Sequence, residues 1–459
     1  MENFYEKVAH PIDWRYGDIR LRKLFSPANI VKVYGLIEAV IAEAQAELGI
    51  IPREAAIAIR EAVQKVTFED VKRWEDLIKH DIMAVVRAIA EKCGEEGEYV
   101  HFGLTSSDVK DTAMALLIRE GLGIIEEKLR ELIIILARRA YENINTPCVG
   151  RTHGVHANIY LLGHKFAVFA DEFLRHLERL GEIKPRILVG KFSGAVGIHT
   201  ALGEEGEEFE DLALKKLGLG KAEIVTQIIP RDRLAELISW FANLSSSLDR
   251  LATEIRNLQR TEIGEVEEPF KEETQVGSST MPHKRNPILC ENISGLARVV
   301  RSLSLAAFEN IVLWHERDLT NSSVERILLP EIFLLVDEQL SRAIRVISGL
   351  RIYKDRIIKN IWFTRGLIFS EAVMIKLAKK GFGRQKAHEL VRKLAMKAFN
   401  EEKDFKEILM NDSQVRKYLD EKEIEEIFKP EKYLSVAKKR VKKLIRRIED
   451  LLQVKIIPD

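Results

Sequence analysis

The sequence predicts an all-α protein of three helical domains, with a central bundle of long helices. Apolar residues recur at steps of three and four along most of the chain, for example at Leu129, Leu132, Ile133 and Leu136. This spacing places them on one face of an α-helix, whereas the alternation typical of half-buried strands is hard to find. The 459 residues include 12 prolines and 26 glycines, so long stretches lack helix breakers.

The chain divides into three consecutive regions. We expect an N-terminal helical domain at about 1–105, a long-helix bundle at 106–350 and a C-terminal helical domain at 351–459. The bundle contains five segments with helical periodicity: about 108–143, 158–184, 231–264, 288–314 and 325–350. Each segment must bury its apolar stripe against the others, which favours a bundle. Many helix breakers separate these segments, at Pro147, Pro185, Pro230 and 190–197.

The last region contains a basic run at 438–447 that could suggest nucleic-acid binding. An apolar stripe passes through the same residues: Val441, Leu444, Ile445, Ile448, Leu451 and Leu452. The combination favours a terminal helix with a solvated basic face over a binding surface.

Composition disfavours several classes of protein. Lys and Arg number 72 against 71 Asp and Glu, so the basic surplus needed for general nucleic-acid binding is missing. No stretch approaches about 18 uninterrupted apolar residues, and we expect no membrane span. Cys93, Cys148 and Cys290 form no CxxC pair, which predicts reduced thiols. Residues 1–10 lack the apolar core of a signal peptide, so we expect a cytoplasmic protein.

Five polar segments interrupt the helical pattern and are candidates for a functional site: 79–81, 101–108, 150–156, 277–287 and 314–326. The segments at 101–108 and 150–156 are each expected to precede a helix, and a helix N-terminus favours an anion. Each segment also has a simpler explanation. A lone histidine more often caps or packs than catalyses, and Asp81 and Asp108 fit caps or orienting partners.

Other chemistries lack their sequence patterns. His153 and His156 could form half a metal site, but no third ligand is adjacent and no HExxH motif occurs, so we expect no metal. Neither GxxxxGK[ST] nor GxGxxG is present, so helix ends and side chains would have to hold a phosphate. The missing GxSxG elbow argues against a Ser-His hydrolase.

The loop 277–287, Gly-Ser-Ser-Thr-Met-Pro-His-Lys-Arg-Asn-Pro, is the most informative segment. A glycine and two serines provide a mobile backbone with two hydroxyls, and two prolines bias their preceding residues away from helix. Residues 283–285 concentrate positive charge beside the hydroxyls. This combination suits proton removal from a polyanionic substrate whose carbanion must be stabilised.

The loop resembles the signature loop of the fumarase/aspartase superfamily of lyases. Further segments resemble the adenylosuccinate lyase family, and the likeness covers most of the chain. These segments are 101–108, 314–318, Gln227, 231–233 and 428–433. Carboxymuconate cycloisomerases can carry the same loop and are the nearest alternative. A superfamily member that became a structural protein, as in lens crystallins, is a further alternative.

The resemblance implies both a fold and a reaction. The fold would be all-α and fumarase/aspartase-like. The reaction would be elimination of fumarate from adenylosuccinate, giving AMP, and from succinyl-aminoimidazole-carboxamide ribotide, with no cofactor. The expected partners are these purine nucleotides and further copies of the chain, because the family forms homotetramers whose active sites draw segments from three subunits.

The resemblance also implies roles for individual residues. Ser278 would be the base that removes a proton from the succinyl β-carbon, with Ser279 as the alternative. His153 would protonate the departing nitrogen and Glu291 would orient it, while Lys284 would help to stabilise the aci-carboxylate intermediate. The resemblance also implies a catalytic role for His80. Substrate contacts are implied for Arg15, Tyr16, Lys79, His80, Asp81, His101, Thr105, Ser106, Gln227, Ser279, Lys284, Asn286, Arg317, Ser322 and Arg326.

Two positions depart from the family pattern. Residues 157–159 read Ala-Asn-Ile where the family commonly has Ala-Glu-Pro, which could affect a helix start. Lys79 stands where the family often has arginine, so a fork-shaped donor for phosphate is missing. Neither change is expected to remove the reaction.

Overall fold

The computed structural model describes residues 8–458, and most of its regular structure is helical. The helices are α1 (Ile19–Leu24), α2 (Pro27–Glu47), α3 (Arg53–Val63), α4 (Phe68–Ile78), α5 (Asp81–Cys93), α6 (Ser106–Glu142), α7 (Leu162–Ile187), α8 (Glu205–Leu217), α9 (Asp232–Gln259), α10 (Ile288–Glu309), α11 (Thr320–Gly349), α12 (Lys354–Trp362), α13 (Ser370–Leu377), α14 (Arg384–Asn400), α15 (Phe405–Asn411), α16 (Ser413–Arg416), α17 (Glu421–Ile427) and α18 (Ser435–Leu452). Short strands are β1 (Pro147–Thr152), β2 (Val155–Leu161), β3 (Val189–Gly190), β4 (Gly220–Lys221), β5 (Val266–Glu267) and β6 (Arg351–Ile352).

The five longest helices among the described residues correspond to the five predicted segments. Helices α6, α7, α9, α10 and α11 contain 37, 26, 28, 22 and 30 residues, respectively. The prediction of an all-α fold with long central helices is therefore confirmed.

The predicted helix at 158–184 starts too early. Residues Val155–Leu161 form β2, which pairs antiparallel with β1, and α7 begins at Leu162. The short strand runs directly into a helix without a proline or glycine between them, so its apolar residues were absorbed into the helical pattern. Pro185 was expected between segments but lies inside α7, close to its C-terminus.

The chain forms two compact units, each built from three stretches. Unit 1 comprises Met1–Leu129, His176–Leu248 and Ile293–Ser341, of which residues 8 onward are described. Unit 2 comprises Arg130–Arg175, Asp249–Asn292 and Arg342–Asp459, described up to residue 458. The boundaries between the units fall within the five long helices. The division into three consecutive domains near residues 105 and 350 stays a prediction.

In unit 1, Phe333 on α11 lies at the centre of a contact between long helices. Its ring centroid is 4.9 Å from that of Phe241 on α9 and 5.3 Å from that of Phe25. A Cβ on Gly121 of α6 would lie 2.8 Å from the Phe333 ring, so only glycine permits this approach. A neighbouring apolar core joins α2, α3 and α5, with Ile37, Ile59 and other side chains fully buried.

In unit 2, the segment 428–433 belongs to an aromatic core. The ring centroid of Phe369 lies 5.0 Å from that of Phe428 and 6.0 Å from that of Tyr433. The Tyr433 hydroxyl donates a hydrogen bond of 2.6 Å to the Ile427 carbonyl. The segment 428–433, which carries part of the family resemblance, therefore contributes to the core of unit 2.

Helix α18 carries the basic run, and half of its predicted apolar stripe is buried, whereas Leu451 at its end is 52% exposed. Val441, Ile445 and Ile448 are buried, whereas most of its lysines and arginines are exposed. Within residues 8–458, every helix is too short or too polar to cross a bilayer.

Candidate active site

Unit 1 contains a cavity of about 310 Å³ with one apolar and one charged side. The apolar side is formed by Phe25, Pro27, Ile30, Tyr34, Met114 and Leu117. The polar side includes four residues that the sequence predicted, Asp81, Arg317, Ser322 and Arg326. Residues from four separate helices thus meet here: α2 contributes part of the apolar lining, α5 contributes Asp81, and α6 and α11 contribute most of the rest.

Sequence reasoning missed several residues of this cavity, although a signal was present. Ser107, Lys110, Asp111 and Met114 follow one another at helical steps on α6, and all line the cavity. Polar residues at this spacing on a helix whose other faces are buried indicate that the polar face lines a functional site and does not simply face solvent. The same reasoning applies to Glu325 on α11, one turn after Ser322.

Two cations flank the Asp81 carboxylate. Lys110 Nζ lies 2.6 Å from Asp81 Oδ2, and Arg326 Nη2 lies 2.9 Å from the same oxygen. Burial disfavours the charged carboxylate, but the hydrogen bond from Lys110 and the charges of Lys110 and Arg326 outweigh it, so the pKa of Asp81 is lowered. The cavity therefore has a charged wall at neutral pH.

A second charge cluster in the cavity lining is centred on buried Arg231. Its guanidinium donates to both Asp111 oxygens, at 2.8 and 2.9 Å, and to Glu325 at 2.7 Å. Burial disfavours this charge, but the two carboxylates outweigh it and raise the pKa of Arg231. The cluster links α6 to α11 and so fixes two walls of the cavity.

Arg317 presents an incompletely satisfied guanidinium beside the cavity. Its Nη1 donates to Gln227 Oε1 at 2.7 Å. Its Nε is buried and has no hydrogen-bond partner among residues 8–458. Such a group is costly to bury unless a further acceptor arrives, which makes Arg317 a candidate anion contact.

Predicted residues before α5 have capping positions. His80 Nδ1 accepts the Met83 N–H at 3.3 Å and thereby caps α5, while Lys79 adopts a left-handed φ of 57°. Both side chains are exposed. Near the described N-terminus, the exposed Arg15 guanidinium lies 4.5 Å from the Trp14 ring centroid, and Tyr16 is half-buried. None of these four side chains lines the cavity.

The segment before α6 is held by two buried acids. His101 Nδ1 lies 2.7 Å from Glu38 Oε1, and Glu38 is only 1% exposed. Burial disfavours the protonated imidazole, but the Glu38 charge and hydrogen bond outweigh it, so the pKa of His101 is raised. The Thr105 N–H donates to Asp108 Oδ2 at 2.8 Å, which closes the first turn at Ser106 and confirms the predicted helix start.

In unit 2, His153 lies at the tip of the β1–β2 hairpin, and the rest of β2 separates 150–156 from α7, the helix that it was expected to precede. His153 and Gly154 have φ values of 54° and 76°, as in the tight two-residue turns that suit hairpins. Arg151 Nη2 pairs with buried Glu265 at 2.5 Å and supports the hairpin. Asn158, one of the departures from the family pattern, lies in β2 and not at a helix start.

His153 and Glu291 are both exposed, and Glu291 lies one turn into α10. Among residues 8–458, neither side chain forms a hydrogen bond with the other. Their pairing stays a prediction.

The signature loop 277–287 is closed on itself in unit 2. Ser278 Oγ accepts the N–H groups of Thr280 and Met281 at 3.2 and 3.0 Å. Asn286 Nδ2 donates to the Gly277 carbonyl at 2.8 Å and ties the two ends together. A Cβ on Gly277 would lie 2.0 Å from the Lys284 carbonyl oxygen, so the closure requires glycine.

The cations of the loop differ in their surroundings. Arg285 pairs with Glu267 at 3.1 Å and with Glu272 at 3.4 Å. Lys284 is exposed and has no ion-pair partner in the described part of the chain. Exposed Ser279 makes a long contact of 3.5 Å with the Thr280 hydroxyl. Lys284, unlike Arg285, is thus available for a ligand.

Across residues 8–458, no group of three or more His, Cys, Asp and Glu side chains is arranged to hold a metal ion. The three cysteines are free, and burial raises the pKa of Cys148 to about 12. These thiols are poor nucleophiles.

Two family descriptions match the chain. The family described as "Lyase" matches residues 12–302. The one described as "Adenylosuccinate lyase C-terminus" matches residues 366–444.

Curated relatives and solved structures agree with these matches. Adenylosuccinate lyase of Pyrococcus horikoshii is 51% identical over 97% of this chain and 99% of its own length. That of Methanocaldococcus jannaschii is 47% identical over 97% of each chain. A fumarate lyase structure from Mesorhizobium sp. BNC1 has a TM-score of 0.87 and 34% identity, covering 94% of this chain and 98% of its own. A 3-carboxy-cis,cis-muconate lactonizing enzyme from Pseudomonas putida has a TM-score of 0.86 and 31% identity, covering 96% and 99%.

Proposed function

The chain belongs to the adenylosuccinate lyase family of the fumarase/aspartase superfamily, and we propose that it releases fumarate both from adenylosuccinate, giving AMP, and from succinyl-aminoimidazole-carboxamide ribotide. The fold and the enzyme class follow from relatives that match nearly the whole chain. The second substrate and the roles of individual residues are the proposal.

The charged wall of the unit 1 cavity carries the proposal for substrate binding. Both substrates have a phosphate and two carboxylates, and Arg317, Ser322 and Arg326 all line this cavity. The buried Arg317 Nε lacks an acceptor among the described residues, which a phosphate or carboxylate oxygen would supply. The apolar side with Tyr34 offers a surface for a flat base.

Ser278 is the proposed base. A serine hydroxyl is too weakly acidic to act as a base in water, so its alkoxide needs stabilisation. The two N–H groups that donate to Ser278 Oγ provide it, in the manner of an oxyanion hole. Ser279 has no comparable pair of donors among the described residues, which favours Ser278 over the alternative.

The proposed elimination requires a base at carbon and an acid at nitrogen. Ser278 removes the β-proton, and the electron pair of that C–H bond moves into the adjacent carboxylate to form an aci-carboxylate, which Lys284 and Asn286 stabilise. The electron pair of the aci-carboxylate then returns to form the C=C bond of fumarate as the C–N bond breaks. The C–N electron pair stays on nitrogen, to which His153 supplies the proton. Glu291 is proposed to set the tautomer of His153. Ser278 acts as its alkoxide and ends as a hydroxyl, while His153 ends one proton short, so both exchange a proton with solvent before the next turnover.

We further propose that the active form is a homotetramer whose sites take segments from different copies. His153, Ser279, Lys284 and Glu291 are exposed in the single chain, although the reaction needs a closed site. Exposed apolar side chains also extend along and after α10: Val299, Leu305, Phe308, Ile311 and Val312. A large apolar surface of this kind indicates contact with another protein.

Absorbance measurements with adenylosuccinate test the proposal directly. The wild-type chain is expected to convert it to AMP and fumarate, and His153→Gln is expected to lower kcat by about 10²–10⁴-fold with the fold intact. A near-normal rate in the variant would refute the role of His153. Turnover of a carboxymuconate in place of adenylosuccinate would select the cycloisomerase alternative.

A further inference from the structure

A fully buried ion pair between Lys191 and Asp108 has no part in the chemistry described above. Lys191 follows β3 and Asp108 lies in the first turn of α6, and both side chains are 0% exposed. A buried pair of charges gives little net stability but is strongly disruptive when one partner is removed. The residues that it joins are therefore held firmly in one arrangement.

The pair ties the segment after β3 to the start of α6. Asp108 Oδ2 accepts the Gly194 N–H at 3.2 Å in addition to that of Thr105 at 2.8 Å. The Lys191 N–H donates to Thr112 Oγ1 at 3.2 Å, and the Thr112 hydroxyl donates back to the Lys191 carbonyl at 3.1 Å. The loop at 193–197 thus begins from a fixed position.

The same loop leads to the cavity by hydrogen bonds. Gln227 Nε2 donates to the Ala195 carbonyl at 3.0 Å, and Gln227 Oε1 accepts from Arg317 Nη1 at 2.7 Å. The loop has little room to shift, because a Cβ on Gly197 would lie 2.4 Å from the Thr226 carbonyl oxygen. Arg317 itself lines the cavity. A continuous set of contacts therefore runs from Lys191 to a proposed substrate residue.

We propose that Lys191 is a positioning residue for substrate binding, which through Asp108 holds the 193–197 loop and thereby orients Gln227 and Arg317. The inference rests on the proposed function, because it takes Arg317 as a substrate contact. Lys191 does not touch substrate.

The physical consequence of losing Lys191 is specific. Burial raises the pKa of the Asp108 carboxyl, and the Lys191 ammonium opposes that effect. Without the ammonium, Asp108 takes up a proton and becomes a weaker acceptor for the Gly194 N–H. The loop then loosens and Arg317 loses its orientation, whereas Ser278 and His153 keep their own contacts.

Steady-state kinetics of the full-length Lys191→Met variant test the inference. We expect the KM for adenylosuccinate and the inhibition constant for AMP each to rise about tenfold or more, with kcat changed about threefold at most. A merely structural role would reduce the amount of folded enzyme and leave both constants unchanged.

Two controls separate positioning from stability. Lys184→Met removes an ion pair between α7 and Glu126 of α6, the helix that also carries Asp108 but at a position several turns farther along. Ile445→Ala leaves a cavity beneath α18, because the Ile445 side chain is fully buried, and it lowers stability. Both are expected to leave KM and AMP inhibition unchanged.

A second variant covers the case in which Lys191→Met does not fold. Lys191→Met combined with Asp108→Leu leaves no buried charge unpaired, and the expected rise in KM is the same because the link to Gly194 is still missing. An unchanged KM in a folded form of either variant overturns the inference.

Arg317→Met distinguishes the failure of the inference from that of the proposed function. A raised KM in Arg317→Met together with an unchanged KM in Lys191→Met overturns only the role of Lys191. An unchanged KM in Arg317→Met would show that Arg317 does not contact the substrate, and this would overturn the inference as well.

Discussion

The Ser278 hydroxyl oxygen accepts two backbone N–H groups from its own loop. Donors that are already in place cost no reorganisation when negative charge develops, and this is how oxyanion holes lower barriers. At the scale of single residues, the structure therefore offers a physical reason why one of two adjacent serines would act as the base.

Replacing Ser278 by Ala is expected to lower kcat by about 10²–10⁴-fold, because the proton acceptor is lost. Exchange of the β-proton of adenylosuccinate in deuterated water should disappear, while substrate binding by calorimetry persists. Ser279→Ala is the matched control and should retain most of the exchange. Exchange that persists in Ser278→Ala would assign the base to another residue.

The His101–Glu38 pair predicts a pH dependence of stability. The pKa of His101 is raised in the folded protein, so the pair's contribution is fully present below the unfolded value of about 6.5 and is lost as pH rises through the folded value. Glu38→Gln keeps the burial but removes the carboxylate charge, so the pKa of His101 should fall.

Urea unfolding of wild type and Glu38→Gln across this pH range provides the measurement. The stability difference between them should be largest at the acidic end and should shrink as pH rises. A difference that stays constant with pH would show that the pair is not charged. Titration of the His101 ring by NMR gives an independent reading of its pKa.

At the scale of elements, Glu268 connects the two ends of the segment that contains the signature loop. Its carboxylate accepts the N–H groups of Leu289 and Cys290 at 3.1 and 2.6 Å and so caps the start of α10. The side chain is 4% exposed. A buried cap both stabilises a helix N-terminus and limits the motion of the loop before it.

Glu268→Ala is therefore expected to lower stability by about 0.5–2 kcal/mol and also to lower kcat, because the loop loses its anchor. Asp404 is a matched control, since it caps α15 by accepting the N–H groups of Lys406 and Glu407. Asp404→Ala should lower stability without changing kcat. Thermal unfolding and initial rates measure both effects. Equal kcat in both variants would show that the Glu268 cap is only structural.

At the scale of the whole molecule, the proposed sharing of active sites between copies predicts complementation. His153→Gln and Ser278→Ala, each inactive alone, should recover activity when unfolded and refolded together, because some sites then combine intact residues from different copies. The control mixes Ser278→Ala with the double variant His153→Gln/Ser278→Ala, which should recover none. Mixed tetramers without activity would show that each site uses one chain.

The sequence by itself determined the helical class, the long bundle helices, the capped start of α6 and the family to which the loop 277–287 pointed. These features depend on local spacing or on a short string of residues, which a linear pattern contains. The β1–β2 hairpin was not predicted, because no helix breaker separates the apolar residues of β2 from those of α7.

The composition of the cavity was decided only by the tertiary structure. Asp81 and Arg326 are 245 residues apart in the chain yet form an ion pair, and Gln227 meets Arg317 across 90 residues. Lys110 and Lys191 could not be selected from the sequence, because the carboxylates that they pair with, Asp81 and Asp108, are distant in the chain. Such contacts depend on how helices that are distant in the chain pack together. The spacing of apolar residues within one helix predicts which face is buried, but not which side chains of other helices that face will contact.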